Sequence, residues 1–500
     1  METKDVRSNC QKNIDQLKPL SLAIELVNKL NASEIKYCHW KNNFDLEQAF
    51  SGNDDLDLLI ERKGYEEFLS IVYGLGFKLA ANRQMQIPSV FHLYGMDQES
   101  NEILHLHVYT RLITGESHLK NYHLNIESIV LKQCSKSLYD IPIPSADVEM
   151  LVYLIRYFIK ISCLPGLILH LLHKSEFDDE YNSILSRMKN DEAILSTELL
   201  DDKLVEEMFL TYKNNKSLVN KILFGLRIRR KIRYLNRYSV ISQFLFRYWQ
   251  IIYRLINKLV LKQRKRLSSN NGSIVTICGL DATGKTTVTS SVYKWLNKQF
   301  DVKLIHVGKP PPVILTFPIR LALLIYRKNK YGKNEKKAVL IKSDSERNDS
   351  VGYVYAARYL ALAYERYSLL RKAKKWRERG FVVLCDRYVS SGLGQMDSPR
   401  IDASNSHSKV IQLIADIEKL LYSYVPQPDL LINLTVPIEV AIQRNNSREK
   451  QDKETDNELI ERYRVNSSMN YKAENQYEIN TETNINDVLA SVKTLIWTNV

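Results

Sequence analysis

The rhythm of apolar and polar positions changes twice along the chain. Between Leu20 and Leu30 apolar residues recur at helical spacing, which predicts a helix over residues 17–31. Two short strand-like runs follow at 36–40 and 56–60, with a turn at Gly52-Asn53 between them. A helix is predicted over 65–73, ended by Gly74-Leu75-Gly76, and further strands at 90–94 and 103–109. From 145 to 209 the spacing is mostly helical, and 216–266 reads as one or two long basic amphipathic helices. Ser268-Ser269-Asn270-Asn271-Gly272 has the composition of a linker.

After that linker the pattern is strand, helix, strand, helix. Strands are predicted at 273–278, 302–307, 381–385, 430–434 and 477–479, and helices at 285–299, 353–379, 408–424, 438–445 and 486–498. Residues 328–350, dense in charge, Asn and Ser, are expected to form a flexible loop. Apolar strands alternating with helices imply a parallel sheet covered on both faces. The fold expected is therefore multidomain: an α+β domain over 1–144, a helical domain over 145–267 and an α/β domain with a parallel sheet over 273–500.

Composition supports this division. A chain of 500 residues is too long for one core. With 44% hydrophobic and 26% charged residues it is a globular rather than a disordered chain. No run of about 18 apolar residues occurs. Residues 150–172 come nearest but contain Arg156, Lys160 and Pro165, and 313–326 contain Pro318 and Arg320; both are expected to be buried helices. The polar start, residues 1–13, predicts no secretory signal. Six scattered cysteines without a C-x-x-C pair speak against a disulfide framework or a zinc site and suit a reducing cytoplasm.

The net charge of +14 is concentrated. No acidic residue lies between Glu207 and Asp281, while sixteen Lys and Arg lie between Lys213 and Arg266. Leu226 to Tyr234 mixes these with apolar residues, and Phe244, Phe246, Tyr248, Trp249 and Tyr253 add aromatics. Such helices can bridge two domains, lie on an anionic membrane at the inner face, contact nucleic acid phosphates or form a homo-oligomer interface.

Two constellations carry chemistry in the last stretch. Gly279-Leu280-Asp281-Ala282-Thr283-Gly284-Lys285-Thr286 fits G-x-x-x-x-G-K-[ST] and sits between a predicted strand and a predicted helix. Its glycines let backbone N–H groups wrap a phosphate chain at a helix N-terminus. Lys285 is suited to the β- and γ-phosphates of ATP, and Thr286 to Mg2+. Asp386-Arg387-Tyr388 follows the strand at 381–385, at the carboxyl end where such sheets bind ligands. Asp386 can position Mg2+ or an acceptor oxygen there, and Arg387 can fork onto an anionic acceptor.

Together with Pro428-Asp429-Leu430-Leu431-Ile432-Asn433-Leu434 and Val436-Pro437, these residues make 273–500 resemble the thymidylate kinase family. The resemblance implies ATP and Mg2+ as cofactors and a nucleotide or related phosphorylated acceptor. It implies phosphate binding by Gly279, Gly284, Lys285, Thr286 and Thr287, and places Asp281 near the acceptor sugar. It assigns Arg387 to the acceptor phosphate, with an arginine of the preceding helix, Arg358 or Arg366, the choice being open. A basic lid would span 444–453, with Arg444 and Arg448 its foremost members. Ser390-Ser391-Gly392-Leu393-Gly394-Gln395 departs from the family's usual Ala-Tyr-Gln, which puts thymidylate itself in doubt. Asp397-Ser398-Pro399-Arg400 is similar to a divergent thymidylate-kinase-like branch associated with polysaccharide gene clusters.

In the first stretch, Asp55-Leu56-Asp57 puts two carboxylates on one strand face, a pattern able to hold Mg2+ against a triphosphate. With His39-Trp40-Lys41 it resembles the nucleotidyltransferase superfamily. His105 of Leu104-His105-Leu106-His107 then stands where the resemblance implies a third acid. The function expected is ATP- and Mg2+-dependent phosphorylation of a nucleoside monophosphate, thymidylate-like, or a related acceptor. The alternatives are transfer of a nucleotidyl group to a protein, RNA or small molecule, and an ATP-dependent switch or scaffold without a small acceptor.

Overall fold

The computed structural model describes residues 18–82, 86–116, 119–188, 199–214, 217–257, 259, 266–268, 272–331, 352–404, 406–447, 455–466 and 469–500. The chain divides into two compact units, Met1–Arg264 and Lys265–Val500.

The sheet of the first unit contains β1 (Tyr37–His39), β2 (Leu56–Ile60), β3 (Lys78–Asn82), β4 (Val90–Met96) and β5 (Ile103–Tyr109), in the order β1-β2-β5-β4-β3. β2 and β5 are parallel, with Asp57 opposite His107, and the other neighbours are antiparallel. Every residue of β2 is buried because both faces are covered. Leu56, Leu58 and Ile60 enter one core with Leu26 and Leu30 of helix Ser21–Asn31 and Phe68 and Val72 of helix Tyr65–Gly74. Leu59, one step out of phase, enters a second core with Trp40, Tyr109 and the helices that follow. The alternation thus puts Asp57 on the helical side.

That second core corrects one expectation. Residues 145–267 were expected as a separate domain, yet helix Ala146–Ile161 shares the core of Cys38, Trp40 and Leu59 and is buried along nearly its whole length. Helix Leu218–Lys231 packs on it, with Phe158 and Phe224 edge to face at 5.0 Å. The expected basic helices are Leu218–Lys231 and Val240–Ile256. The second exposes Phe244, Tyr248, Trp249, Ile252 and Leu255.

The two apolar runs expected as buried helices are buried only in part. The first breaks before Leu164–Leu172, a helix that carries Pro165 in its first turn and turns 111° from its predecessor. Leu164 and Leu172 are each 71% exposed there. The second is helix Phe317–Tyr331, along which Phe317, Leu321 and Leu324 face solvent. Among the described residues no single helix is long and apolar enough to cross a membrane.

The second unit holds β6 (Ser273–Gly279), β7 (Val302–His306), β8 (Val382–Asp386), β9 (Leu430–Thr435) and β10 (Asn475–Asn480), all parallel, in the order β7-β8-β6-β9-β10. β6 is central and wholly buried. The carboxyl ends of β6 and β8 therefore lie side by side, Ile277 opposite Asp386, and bring the P-loop to the Asp386-Arg387 step. Helices Lys285–Leu296 and Tyr353–Arg377 follow the expected bounds closely, whereas most of the expected loop at 328–350 lies outside the described residues. Helix Asp456–Asn466 was not expected.

The contact between helices Leu218–Lys231 and Ala146–Ile161 depends on Gly225. A Cβ there would meet the Phe158 carbonyl oxygen at 2.4 Å. Alanine gains about 1 kcal/mol of helix propensity, but overpacking costs about 1–3 kcal/mol. Gly225→Ala is expected to destabilise the first unit on balance. Faster amide hydrogen exchange within 146–161 checks this; unchanged exchange would contradict it.

Candidate functional site

The P-loop caps β6. Gly279 has φ +142°, and a Cβ on it would meet the Leu434 carbonyl oxygen at 2.5 Å, so the loop can start its turn only on glycine. Gly284 has φ +83° and leads directly into helix Lys285–Leu296. The Thr286 and Thr287 hydroxyl side chains are exposed at its mouth.

Lys285 is only 7% exposed, and its ammonium donates to the Leu280 carbonyl of its own loop. Burial pushes it down to about 8, although Asp281, 3.8 Å away, pulls the other way. A desolvated ammonium held by a neutral carbonyl gains when an anion arrives. Together with the glycine-only turn, this fits a bound polyphosphate. The exposed Thr286 hydroxyl and the partly exposed Asp386 carboxylate fit an accompanying Mg2+.

Asp281 is the hub of the site. Arg387 contacts it at 3.1 Å and Arg462 at 2.5 Å, and the Tyr463 hydroxyl donates to its carbonyl at 2.9 Å. Burial works against the carboxylate, but Lys285, Arg387 and Arg462 outweigh it and hold Asp281 below the usual carboxylate range. Arg387 has φ +69°, a costly conformation for a side chain of its size. That turn directs it to Asp281 and to Asp397, 3.8 Å away.

The structure separates the two candidate helix arginines. Arg366 is buried and donates to Asp397, to the Val307 carbonyl at 3.3 Å and to the Tyr422 hydroxyl at 2.6 Å. Through Asp397 it joins the group of Arg387. Arg358 is half-buried, with its guanidinium 5.3 Å from the Tyr359 ring. Arg444 donates to the Thr481 carbonyl at 2.6 Å and to Ala282 of the P-loop at 3.5 Å. Arg448 lies outside the described residues. Arg462 and Tyr463 were missed by the sequence reading. Their signal was an Arg-Tyr pair 181 and 182 residues from Asp281 on a helix without a motif.

In the first unit Asp55 and Asp57 do face one way, but each is engaged by basic groups. Asp55 pairs with His105, and Asp57 with Lys41 at 2.7 Å and His107 at 2.9 Å. His92 adds a 3.2 Å contact to His105. Burial opposes the Asp57 carboxylate, yet Lys41 and His107 hold it far below the usual range. Burial pushes His107 down to about 4, so near neutral pH it is a neutral donor. Among the described residues no group of three His, Cys, Asp or Glu could hold a metal ion. The expectation of Asp55 and Asp57 as a metal pair thus meets carboxylates already engaged by side chains of the protein.

A glycine-only phosphate loop, a buried lysine and arginines gathered at the ends of parallel strands define a P-loop phosphate-binding domain of the nucleotide kinase kind. Residues 277–492 match the thymidylate kinase family, so the second unit carries a thymidylate kinase family domain. Over 224 residues the chain is 23% identical to the uncharacterized ATP-binding protein YghR of Escherichia coli K12, a match covering 43% of this chain and 83% of that protein. The same figures hold for YghR of Escherichia coli O6:H1 strain CFT073. Thymidylate kinase from Candida albicans aligns with a TM-score of 0.29 and 20% identity, covering 46% of this chain and 92% of that one.

Breaking the Asp57 network tests its structural role. Asp57→Asn leaves Lys41 buried without its anion, and is expected to cost about 3–5 kcal/mol. His107, neutral in the fold at about 4 against an ordinary 6.5, favours the unfolded state as it protonates. Stability of the first unit should therefore fall as pH drops from 6.5 towards 4, and the decline should flatten in His107→Gln. Thermal unfolding across that window measures both; a flat wild-type profile would refute the His107 assignment.

Proposed function

We propose that the protein is an ATP- and Mg2+-dependent phosphotransferase whose second unit phosphorylates a nucleoside monophosphate, thymidylate-like, or a related phosphorylated acceptor. The observation that carries this reading is the set of basic groups around Asp281: Lys285, Arg387 and Arg462 meet one carboxylate at the mouth of a phosphate loop. The ATP-binding description of YghR and the thymidylate kinase family of residues 277–492 support it.

In this reading the P-loop N–H groups and Lys285 hold the triphosphate, while Thr286 and Asp386 would hold Mg2+, which would supply charge neutralisation to the phosphate chain. Arg387 orients the acceptor's phosphate, with Arg366 behind it through Asp397. An acceptor phosphate oxygen is already anionic, so it attacks the γ-phosphorus without a general base. The bond from that phosphorus to the β-bridging oxygen breaks, and ADP leaves with the electron pair. Arg462 and Arg444 flank the loop and offset the charge spread over the transferred group. The free thiols Cys278 and Cys385 inside the sheet suit a cytoplasmic setting.

The test is γ-labelled ATP with Mg2+ and a panel of nucleoside monophosphates and sugar phosphates. Label is expected in an acceptor, and Lys285→Ala should lower that transfer about 10²–10³-fold. Label released only as inorganic phosphate would favour a switch. Pyrophosphate release abolished by Asp57→Ala would instead move the chemistry to the first unit. Arg462→Ala is expected to lower kcat/KM about tenfold with the fold intact, as read by steady-state kinetics beside circular dichroism.

A further inference from the structure

Basic side chains from separate elements of the first unit converge beside Trp40. Helix Ala146–Ile161 carries Glu149, Tyr153, Arg156 and Lys160 at spacings that place them on one stripe. Glu149 is closed off by Asn43 at 2.9 Å and Arg187 at 2.7 Å. Below it, the Arg156 guanidinium lies 5.5 Å from the Trp40 ring centroid, and the Lys41 ammonium lies 5.6 Å from the same ring. Lys160 continues the stripe, its ammonium 6.0 Å from the Phe177 ring. Lys120 arrives from the loop after Gly115. It has φ 46°, and Arg237 fixes it by donating to its carbonyl at 3.0 Å.

These four cations act on one another. Lys120 lies within electrostatic reach of Lys41, Arg156 and Lys160, and Lys160 of Lys41 and Arg156. Two of them have an acid: Lys41 is matched by Asp57 at 2.7 Å and Arg156 by Glu180 at 3.4 Å. Among the described residues neither Lys120 nor Lys160 forms a salt bridge. Two half-buried lysines thus stand together without a directly paired acid, and Glu180 and Asp57 reach Lys160 and Lys120 only from beyond ion-pair distance. Burial, aided by the neighbouring cations, pushes Lys160 down to about 7 and Lys120 well below the ordinary lysine value. Such an arrangement costs stability unless an anion completes it.

We propose that Lys120 and Lys160, with Arg156, form a metal-independent binding site for a small molecule bearing a phosphate or diphosphate group. With both lysines protonated, as a bound anion favours, the four cations exceed Asp57 and Glu180 by two charges, which matches a phosphate-type dianion, and Arg156 adds a planar fork of donors. No metal is called for, because Asp57 is paired with Lys41, and Asp55 and Asp57 are further engaged by His105 and His107. The site is independent of the P-loop, and its occupant need not be the kinase acceptor.

The experiment is isothermal titration of the full chain with inorganic pyrophosphate in EDTA, with orthophosphate as a second arm. One binding event is expected to persist in Lys285→Ala and to weaken about tenfold in Lys160→Gln and in Lys120→Gln, with Lys160→Arg restoring it. Tighter binding of pyrophosphate than of orthophosphate assigns a diphosphate, and the reverse a single phosphate group. Sulfate, whose charge is fixed near neutral pH, should bind more tightly as pH falls from about 8.5 to about 6.5, because Lys160 and Lys120 must be protonated. The groups facing them are Lys41, Arg156, Asp57, Glu180 and Cys163. Lys120 sits on a loop, so its variant decides the matter should Lys160→Gln not fold. Binding that vanishes in Lys285→Ala and survives both glutamine variants, or no binding at millimolar pyrophosphate, overturns the proposal.

Discussion

A carboxylate inside a loop shaped for anions must be neutralised before any phosphate can approach. Asp281 occupies that position, and the C-terminal site is arranged around it. Lys285 comes from the next turn of the same segment, Arg387 from the end of a neighbouring strand and Arg462 from a helix far along the chain. Each is aimed by a different device: burial for Lys285, a left-handed backbone for Arg387 and a helical partner, Tyr463, for Arg462. When a polyphosphate enters, these cations can turn from one carboxylate to several phosphate oxygens. Asp281 therefore gathers the basic groups at one place, and under the proposed function this would lower the reorganisation required on phosphate binding.

The parallel sheet makes this meeting of distant residues inevitable. Because β6 lies between β8 and β9, the segments leaving their carboxyl ends share one crevice. Residues more than a hundred positions apart, such as Asp281 and Arg387, become neighbours through strand order alone. The first unit reaches a comparable result by another route. There a parallel pair, β2 and β5, sets acids against histidines, and a buried helix lays a basic stripe across the same face.

Most of this was legible where local pattern and chemistry coincide. β2 and β5 were read with their exact ends, and the P-loop with the correct strand before and helix after, because apolar alternation and glycine placement are local signals. Arg366 could not be separated from Arg358 in sequence, since both stand on one long helix; only its depth beside Asp397 distinguishes it. Arg462 carried no motif at all. The helical segment looked autonomous because its periodicity is self-contained, but periodicity does not show which surface a helix buries. The apolar residues at 314–325 were misjudged for the same reason, as hydrophobicity alone does not decide exposure.

The facing pairs of the first unit also bear on how its chain finds its register during folding. Parallel strands with a two-residue side-chain period tolerate a slip by two, since every buried leucine still points inward. In the native alignment Asp55 meets His105 and Asp57 meets His107. A slip one way would set Asp57 against Tyr109, and a slip the other way would set Asp55 against Ile103. Only one alignment gives both acids a histidine to hydrogen-bond. Hydrogen bonding to buried carboxylates thus selects among registers that the leucines cannot tell apart, and the histidines act as a checksum on strand pairing.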